Sequence, residues 1–188
     1  IMTVKEVLSY AAGNIGRGDL VQQLAVITSS EVPSEGIGSL LRSYHLVESE
    51  VALDYFPLTK TERAVCTYGR VNYTALSSPP VNVIEVTDEN GRRLSFTAHA
   101  AYLAVPDAVG AVNVCYAYAP GRSSLFAELP FPARISGELL SLGVSSEFLL
   151  ACGRYAEAAV WEGKFREGLR AAGVFRRKLC AIRARRWA

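Results

Sequence analysis

The hydrophobic period of this chain changes twice, and that alternation limits the folds open to it. Over residues 4–55 apolar side chains recur at three- and four-residue steps; from Pro57 to Pro120 they recur at every second residue; over 135–172 the helical spacing returns. With 188 residues, the chain has room for one domain, or one domain with an insertion, without covalent staples. The pattern predicts an α+β fold: a helical bundle of N-terminal and C-terminal helices, a central antiparallel β-sheet or small β-sandwich segment, and an extended basic C-terminal tail. A single domain is expected, with 1–56 helical, 57–120 β, 121–173 forming the C-terminal helices and 174–188 the tail.

Local chemistry sets the element ends. Thr3 and Glu6 form a capping box that opens a short helix with Val4, Val7, Leu8 and Ala11 on one face. Gly13, Gly16 and Gly18 stop it, and Asp19 is expected to cap a second helix. Ser34 caps a longer one, to about Asp54, whose stripe runs through Ile37, Leu40, Leu41, Tyr44, Val47, Val51 and Tyr55, and Pro57 ends it. Strands are predicted over 62–68, 71–75, 82–87, 93–97, 101–105 and 111–119. Asp88-Glu89-Asn90-Gly91 supplies turn chemistry between two of them, with Asn90 and Gly91 tolerant of positive φ. Ile135, Leu139, Leu142, Leu149 and Cys152 mark the next helix, and Gly153 separates it from the last.

The last helical pair is apolar on more than one side. A helix with one neighbour needs one apolar stripe, so Tyr155, Trp161, Phe165 and Leu169 are candidates for a subunit interface. Charge is divided as well. Residues 174–188 hold Arg176, Arg177, Lys178, Arg183, Arg185 and Arg186 and no acid, which leaves 14 Lys and Arg against 18 Asp and Glu before them. Phe175, Leu179, Ile182 and Trp187 interleave with those cations. A basic, partly apolar end on a mildly acidic body reads as an arm for an acidic partner surface, with non-specific contact to DNA as a further use.

Patterns for chemistry are lacking. No GxSxG, HExxH, P-loop or GxGxxG occurs, and His45 and His99 have no partner at metal-ligand spacing. Cys66, Cys115, Cys152 and Cys180 contain no CxxC pair and read as reduced thiols of an intracellular product, although a Cys66–Cys115 pair between strands is conceivable. Glu48, Glu50 and Asp54 gather on one helix, as a solvated face or interface rim, as a receptor for a neighbour's basic arm, or, through Glu50 and Asp54 four apart, for acid–base work or a cation. No catalytic residue, metal or cofactor is expected. No signal peptide and no apolar run long enough for a membrane helix is visible in the sequence.

The order of parts carries a resemblance. A helix ends in Leu40-Leu41-Arg42-Ser43-Tyr44-His45-Leu46-Val47-Glu48 and leads through Asp54-Tyr55-Phe56-Pro57 into the β segment. The helical pair LLSLGVSSEFLLACGRYAEAAVWEGKFREGLRAA (139–172) follows, and RARRWA (183–188) closes the chain. This arrangement resembles the head-to-tail connector (portal adaptor) proteins of tailed bacteriophages. The resemblance implies a non-enzymatic virion protein, made in the host cytoplasm and placed at the head-tail junction. It implies a ring of the protein with itself, commonly of twelve copies, that docks on the portal protein, seats a tail or stopper protein and extends the DNA channel without touching a membrane. Portal docking would fall to Phe175, Arg176, Arg177, Lys178, Leu179, Ile182, Arg183, Arg185, Arg186 and Trp187. Three other classes fit parts of the sequence: an intracellular enzyme or small-ligand domain with a dispersed site, a DNA-binding accessory factor, and a peptide-binding helical module. For the last, residues 153–172 resemble half of a tetratricopeptide repeat with no second copy.

Overall fold

The structure, a computed structural model, describes residues 2–29 and 34–175. The fold is α+β, with five α-helices and two small antiparallel sheets among the described residues. It divides into two compact units, one inserted in the other along the sequence. One is helical and formed from both ends of the chain, Ile1–Phe56 with Leu125–Ala188; the other is Pro57–Ser124, inserted between them and matching the stretch of period two.

The helical unit contains α1 (Val4–Asn14), α2 (Gly18–Val26), α3 (Glu35–Glu50), α4 (Gly137–Ala151) and α5 (Tyr155–Ala171). The capping box at Thr3 is complete: its hydroxyl accepts from the Glu6 N–H, and the Glu6 carboxylate accepts from the Thr3 N–H at 2.6 Å. Ser34 caps α3 as expected. Asp19 does not cap α2. Arg17 holds the N-cap position, and Asp19 lies in the first turn, where its two carboxylate oxygens accept from the Arg17 Nε and Nη2 groups. After Glu50 the chain widens into one π-helical turn, Val51–Tyr55, closed by Phe56 N–H on Val51 O at 2.7 Å. Pro57 has no N–H to continue it, and Phe56 is extended.

The core of this unit is α4. Leu139, Leu140, Val144, Phe148 and Leu149 are buried, and so are Ser141, Ser145 and Ser146, so the helix is covered on nearly every side. A helix with that pattern belongs at the centre of a bundle, and α1, α3 and α5 all pack on it. Small residues let them approach. A Cβ on Gly143 would stand 2.9 Å from Val47 of α3 and 3.1 Å from the Phe165 ring of α5. The serines satisfy their hydroxyls inside the bundle: Ser145 donates to Ser141 O at 2.7 Å, Ser146 donates to Ala158 O at 3.0 Å, and Asn14 of α1 donates to Ser141 and Ser145. The segment after the β unit returns beside α1, where Val4 and Lys5 N–H groups donate to Ala127 and Leu125 carbonyls. Leu142 and Cys152, read as part of the buried stripe, lie at its margin; Cys152 is exposed.

The β unit has two three-stranded antiparallel sheets. One has the order β1 (Leu58–Val65), β6 (Ala111–Tyr118), β3 (Pro80–Thr87); the other has β2 (Arg70–Asn72), β5 (Tyr102–Ala104), β4 (Thr97–Ala98). Ala64, Val71, Val86, Leu103, Val112, Val114 and Tyr116 from both sheets share one core, as in a small sandwich. β1 begins earlier than the sequence indicated. The expected strand over 93–97 is mostly a loop, tied at its start by a single bridge from Arg93 to Thr87. At the predicted turn Asp88 accepts from the Asn90 and Arg92 N–H groups, and Gly91, but not Asn90, has positive φ. Cys66 lies opposite Gly110 and Cys115 opposite Thr61. Five residues of β6 therefore separate the two thiols, and both are free.

Candidate functional site

The interface candidates all lie on α5, and the fold sorts them. Phe165 and Leu169 are 1% and 0% exposed. The Phe165 ring lies over Gly143, and Leu139 of α4 returns the contact at Gly168, where a Cβ would collide with it. These two residues are the α5 half of the bundle core and are not available to a second subunit, which corrects their assignment. Trp161 is half-buried, with the Lys164 ammonium 4.1 Å from its ring centroid. Tyr155 is 71% exposed, and Val160 is also open to solvent. The expectation of a doubly apolar helix therefore reduces to one core stripe plus Tyr155, Val160 and part of Trp161.

The end of α5 sets the root of the basic segment. Gly173 N–H donates to Arg170 O and Val174 N–H to Leu169 O, with Gly173 at φ +69°, a Schellman closure. Val174, assigned to the tail, is buried and belongs to the helical unit. Phe175 is 68% exposed and is the first residue beyond that closure. Arg176, Arg177, Lys178, Leu179, Ile182, Arg183, Arg185, Arg186 and Trp187 lie outside the described residues.

The acids grouped on α3 do not share one environment. Glu48 is buried, and the Tyr44 hydroxyl donates to it at 2.9 Å. Burial and the Glu48 charge push the Tyr44 hydroxyl well above the usual tyrosine range. Glu50 instead meets acids from other helices. Burial and Glu162 push its carboxyl up, with Arg166 acting in the opposite direction. Glu147 of α4 is raised by burial and by the same Glu162. Arg166 binds Glu162 directly. This seam joins α3, α4 and α5 and includes Glu147, Glu162 and Arg166, which no spacing along one helix connects to Glu50.

The β unit carries its own polar knot. Lys60 pairs with Glu62 at 3.0 Å and lies 4.9 Å from the Tyr118 ring centroid and 5.5 Å from that of Tyr116. Glu62 also accepts from the Ser77 hydroxyl, the Ser77 N–H and the Tyr116 hydroxyl, and these bonds hold its carboxyl down at about 2. The other sheet bears a cluster that sequence reading passed over: Tyr68, Arg70, His99 and Tyr102. Its one legible signal was the two-residue gap Gly69-Arg70 between predicted strands. His45 is in α3, as expected.

A hollow of about 480 Å3 between α1 and α2 includes Glu6, Ser9, Tyr10 and Asn14. Glu6 and Asn14 are engaged in the capping box and in the α4 serine contacts, so the hollow does not gather a nucleophile with a base. Among the described residues no three metal-binding side chains are placed to hold an ion, and no helix is long and apolar enough to cross a membrane. Comparison with known proteins adds no relative: no family model matches the sequence, and no curated protein matches it.

Proposed function

We propose that the protein is a structural component of a tailed-phage virion: a connector that assembles as a ring, of twelve copies as is common for such rings, on the portal of the filled capsid, extends the DNA channel and receives a tail or stopper protein. The observation that carries this reading is α5. Its core stripe is used by α4, yet Tyr155 remains 71% exposed, and the sequence after Phe175 carries six cations and no acid. A head-to-tail ring needs two complementary flanks, and an exposed aromatic on a rigid helix is suited to one of them. The cationic, aromatic end suits docking on an acidic portal surface, with ordering of the arm deferred until the partner is present. The order of helices, β segment and basic end supports the same assignment.

Electron microscopy of the purified protein, alone and mixed with portal rings, tests it. Rings that form alone or on the portal are expected. A protein that stays monomeric and ignores the portal overturns the reading.

A further inference from the structure

The outer face of the β2-β5-β4 sheet presents chemistry that the fold does not use. Alternation defines the face: Val71 and Leu103 turn inward and are fully buried, so their neighbours Arg70, Tyr102 and Ala104 turn outward. Thr97 pairs with Ala104, and His99, the residue after β4, donates its N–H to Tyr102 O, which places His99 on the same face. The His99 ring stacks on Tyr102 at 4.6 Å, and the Arg70 guanidinium lies 4.7 Å from the same ring centroid. Among the described residues Arg70 has no carboxylate partner, whereas Lys60, Arg63 and Arg93 of this unit are each paired with a glutamate. Asp107, next to Pro106 at the rim, accepts from Ser95.

Tyr68 stands beside this cluster. It and Gly69 are the central residues of a tight hairpin turn closed by Thr67 and Arg70, and both have positive φ, Tyr68 at +52°. Such a turn favours asparagine or glycine at that position, and a bulky residue there is an outlier. The ring is 98% exposed, so its own fold gains almost nothing from it. A hollow of about 480 Å3 lies among Tyr68, Arg70, His99 and Tyr102.

We infer that this hollow docks an acidic segment of a partner protein. A carboxylate of that segment engages the Arg70 fork, and an adjacent aromatic or apolar side chain packs against Tyr68 and Tyr102. Charge complementarity sets the occupant: one guanidinium, oriented on a ring and with no carboxylate partner or acid among the described residues that line the hollow, matches one carboxylate. Tyrosine and arginine together are also the usual anchors of protein interfaces. A nucleic-acid strand would need a row of cations along its phosphates, and among the described residues lining the hollow Arg70 is the one permanent cation. The inference does not depend on ring assembly.

Titration of the 15N-labelled full chain with a short alternating Glu-Tyr peptide tests it, beside a Gln-Tyr peptide and oligothymidylate. The amides of Gly69, Arg70, His99 and Tyr102 are expected to shift with the Glu-Tyr peptide at a Kd below about 1 mM. The Gln-Tyr peptide is expected to bind about ten-fold more weakly, as is the Glu-Tyr peptide to R70Q. Y68G, which relieves the backbone, is expected to keep a dispersed spectrum and lose about five-fold in affinity. Equal binding of the Gln-Tyr peptide, unchanged binding by folded Y68G or R70Q, or no shift up to about 1 mM overturns the proposal. Stronger perturbation of the same amides by oligothymidylate also overturns it and assigns the face to nucleic acid.

Discussion

The Phe165 ring of α5 lies over Gly143 in α4, so close that an added side chain would be crowded: a Cβ there would stand 3.1 Å from Cζ. Two effects of opposite sign follow from filling the site. Replacing a mid-helix glycine gains up to about 1 kcal/mol of helix propensity. Overpacking costs about 1–3 kcal/mol, and here both Val47 and Phe165 would have to move. Gly143→Val adds two methyl groups beyond the Cβ, so the clash wins. A net loss of about 2 kcal/mol is expected, read as a lower urea midpoint for the helical unit. An unchanged midpoint would mean that the helices are not this close.

The contrast between Phe165 and Tyr155 separates core from contact surface. Phe165→Ala is expected to cost about 3–5 kcal/mol of stability. Tyr155→Ser, on an exposed position, is expected to change stability by less than about 0.5 kcal/mol while weakening self-association in sedimentation velocity. Trp161→Ala falls between, at about 1–3 kcal/mol, because only part of the indole is covered. If Tyr155→Ser rings form as well as wild type, this side of α5 is not a subunit contact.

Where the chain is cut decides what a truncation measures. Removal of everything after Phe175 leaves the Schellman closure and buried Val174 in place, so thermal unfolding is expected to match the full chain while portal pull-down is lost. Removal of everything after Ala172 also deletes Gly173 and Val174, and a further loss of about 1–3 kcal/mol is expected from the uncovered apolar surface. Retained pull-down after the first truncation refutes docking through the basic segment.

Acid should act on the acidic seam and on Glu62 with opposite signs. Glu50 and Glu147 have carboxyls raised above the ordinary 4.5. The folded state therefore holds their protons more tightly than the unfolded state, and stability is lost as pH rises through the raised values. Glu147→Gln is expected to stabilise the chain at pH 7 by a few tenths of a kcal/mol, and the gain over wild type should shrink as pH falls toward 4.5. Glu62 is held down at about 2. Its contribution is present above 4.5 and lost as pH falls toward 2, so Glu62→Gln is expected to destabilise at pH 7 and converge with wild type in acid. Chemical denaturation across this range checks both, and a Glu147→Gln gain that is constant with pH would dissociate it from the carboxyl's charge.

Features set by neighbours in sequence were legible. The Thr3-Glu6 box, the Ser34 cap, the stop at Pro57 and the hairpin turn at Asp88-Gly91 each depend on a few consecutive residues, and the structure shows all four. Asp19 was misread because its type suits a cap as well as a first turn, and the nearby Arg17 decided between them. The side of α5 that is buried was not legible. Phe165 and Tyr155 are both aromatic and both on the same helix, and it is Gly143, twenty-two residues before Phe165, that gives one of them a seat. Glu50, Glu147 and Glu162 come together only through the packing of three helices. Tyr68 escaped notice because a tyrosine at positive φ runs against the residue preferences on which the reading was built.

The central position of α4 has a consequence for how the protein is made. The ribosome delivers α1, α2 and α3 first, then the whole inserted β unit, and only then the helix they pack on; roughly eighty residues lie between Phe56 and Gly137. At ~5–20 residues per second the nascent helices wait several seconds without the α4 cover over Val7 and Val47. The β unit, whose core is contiguous in sequence, can fold during that interval. Anything that slows elongation across it lengthens the time in which the early helices need a chaperone.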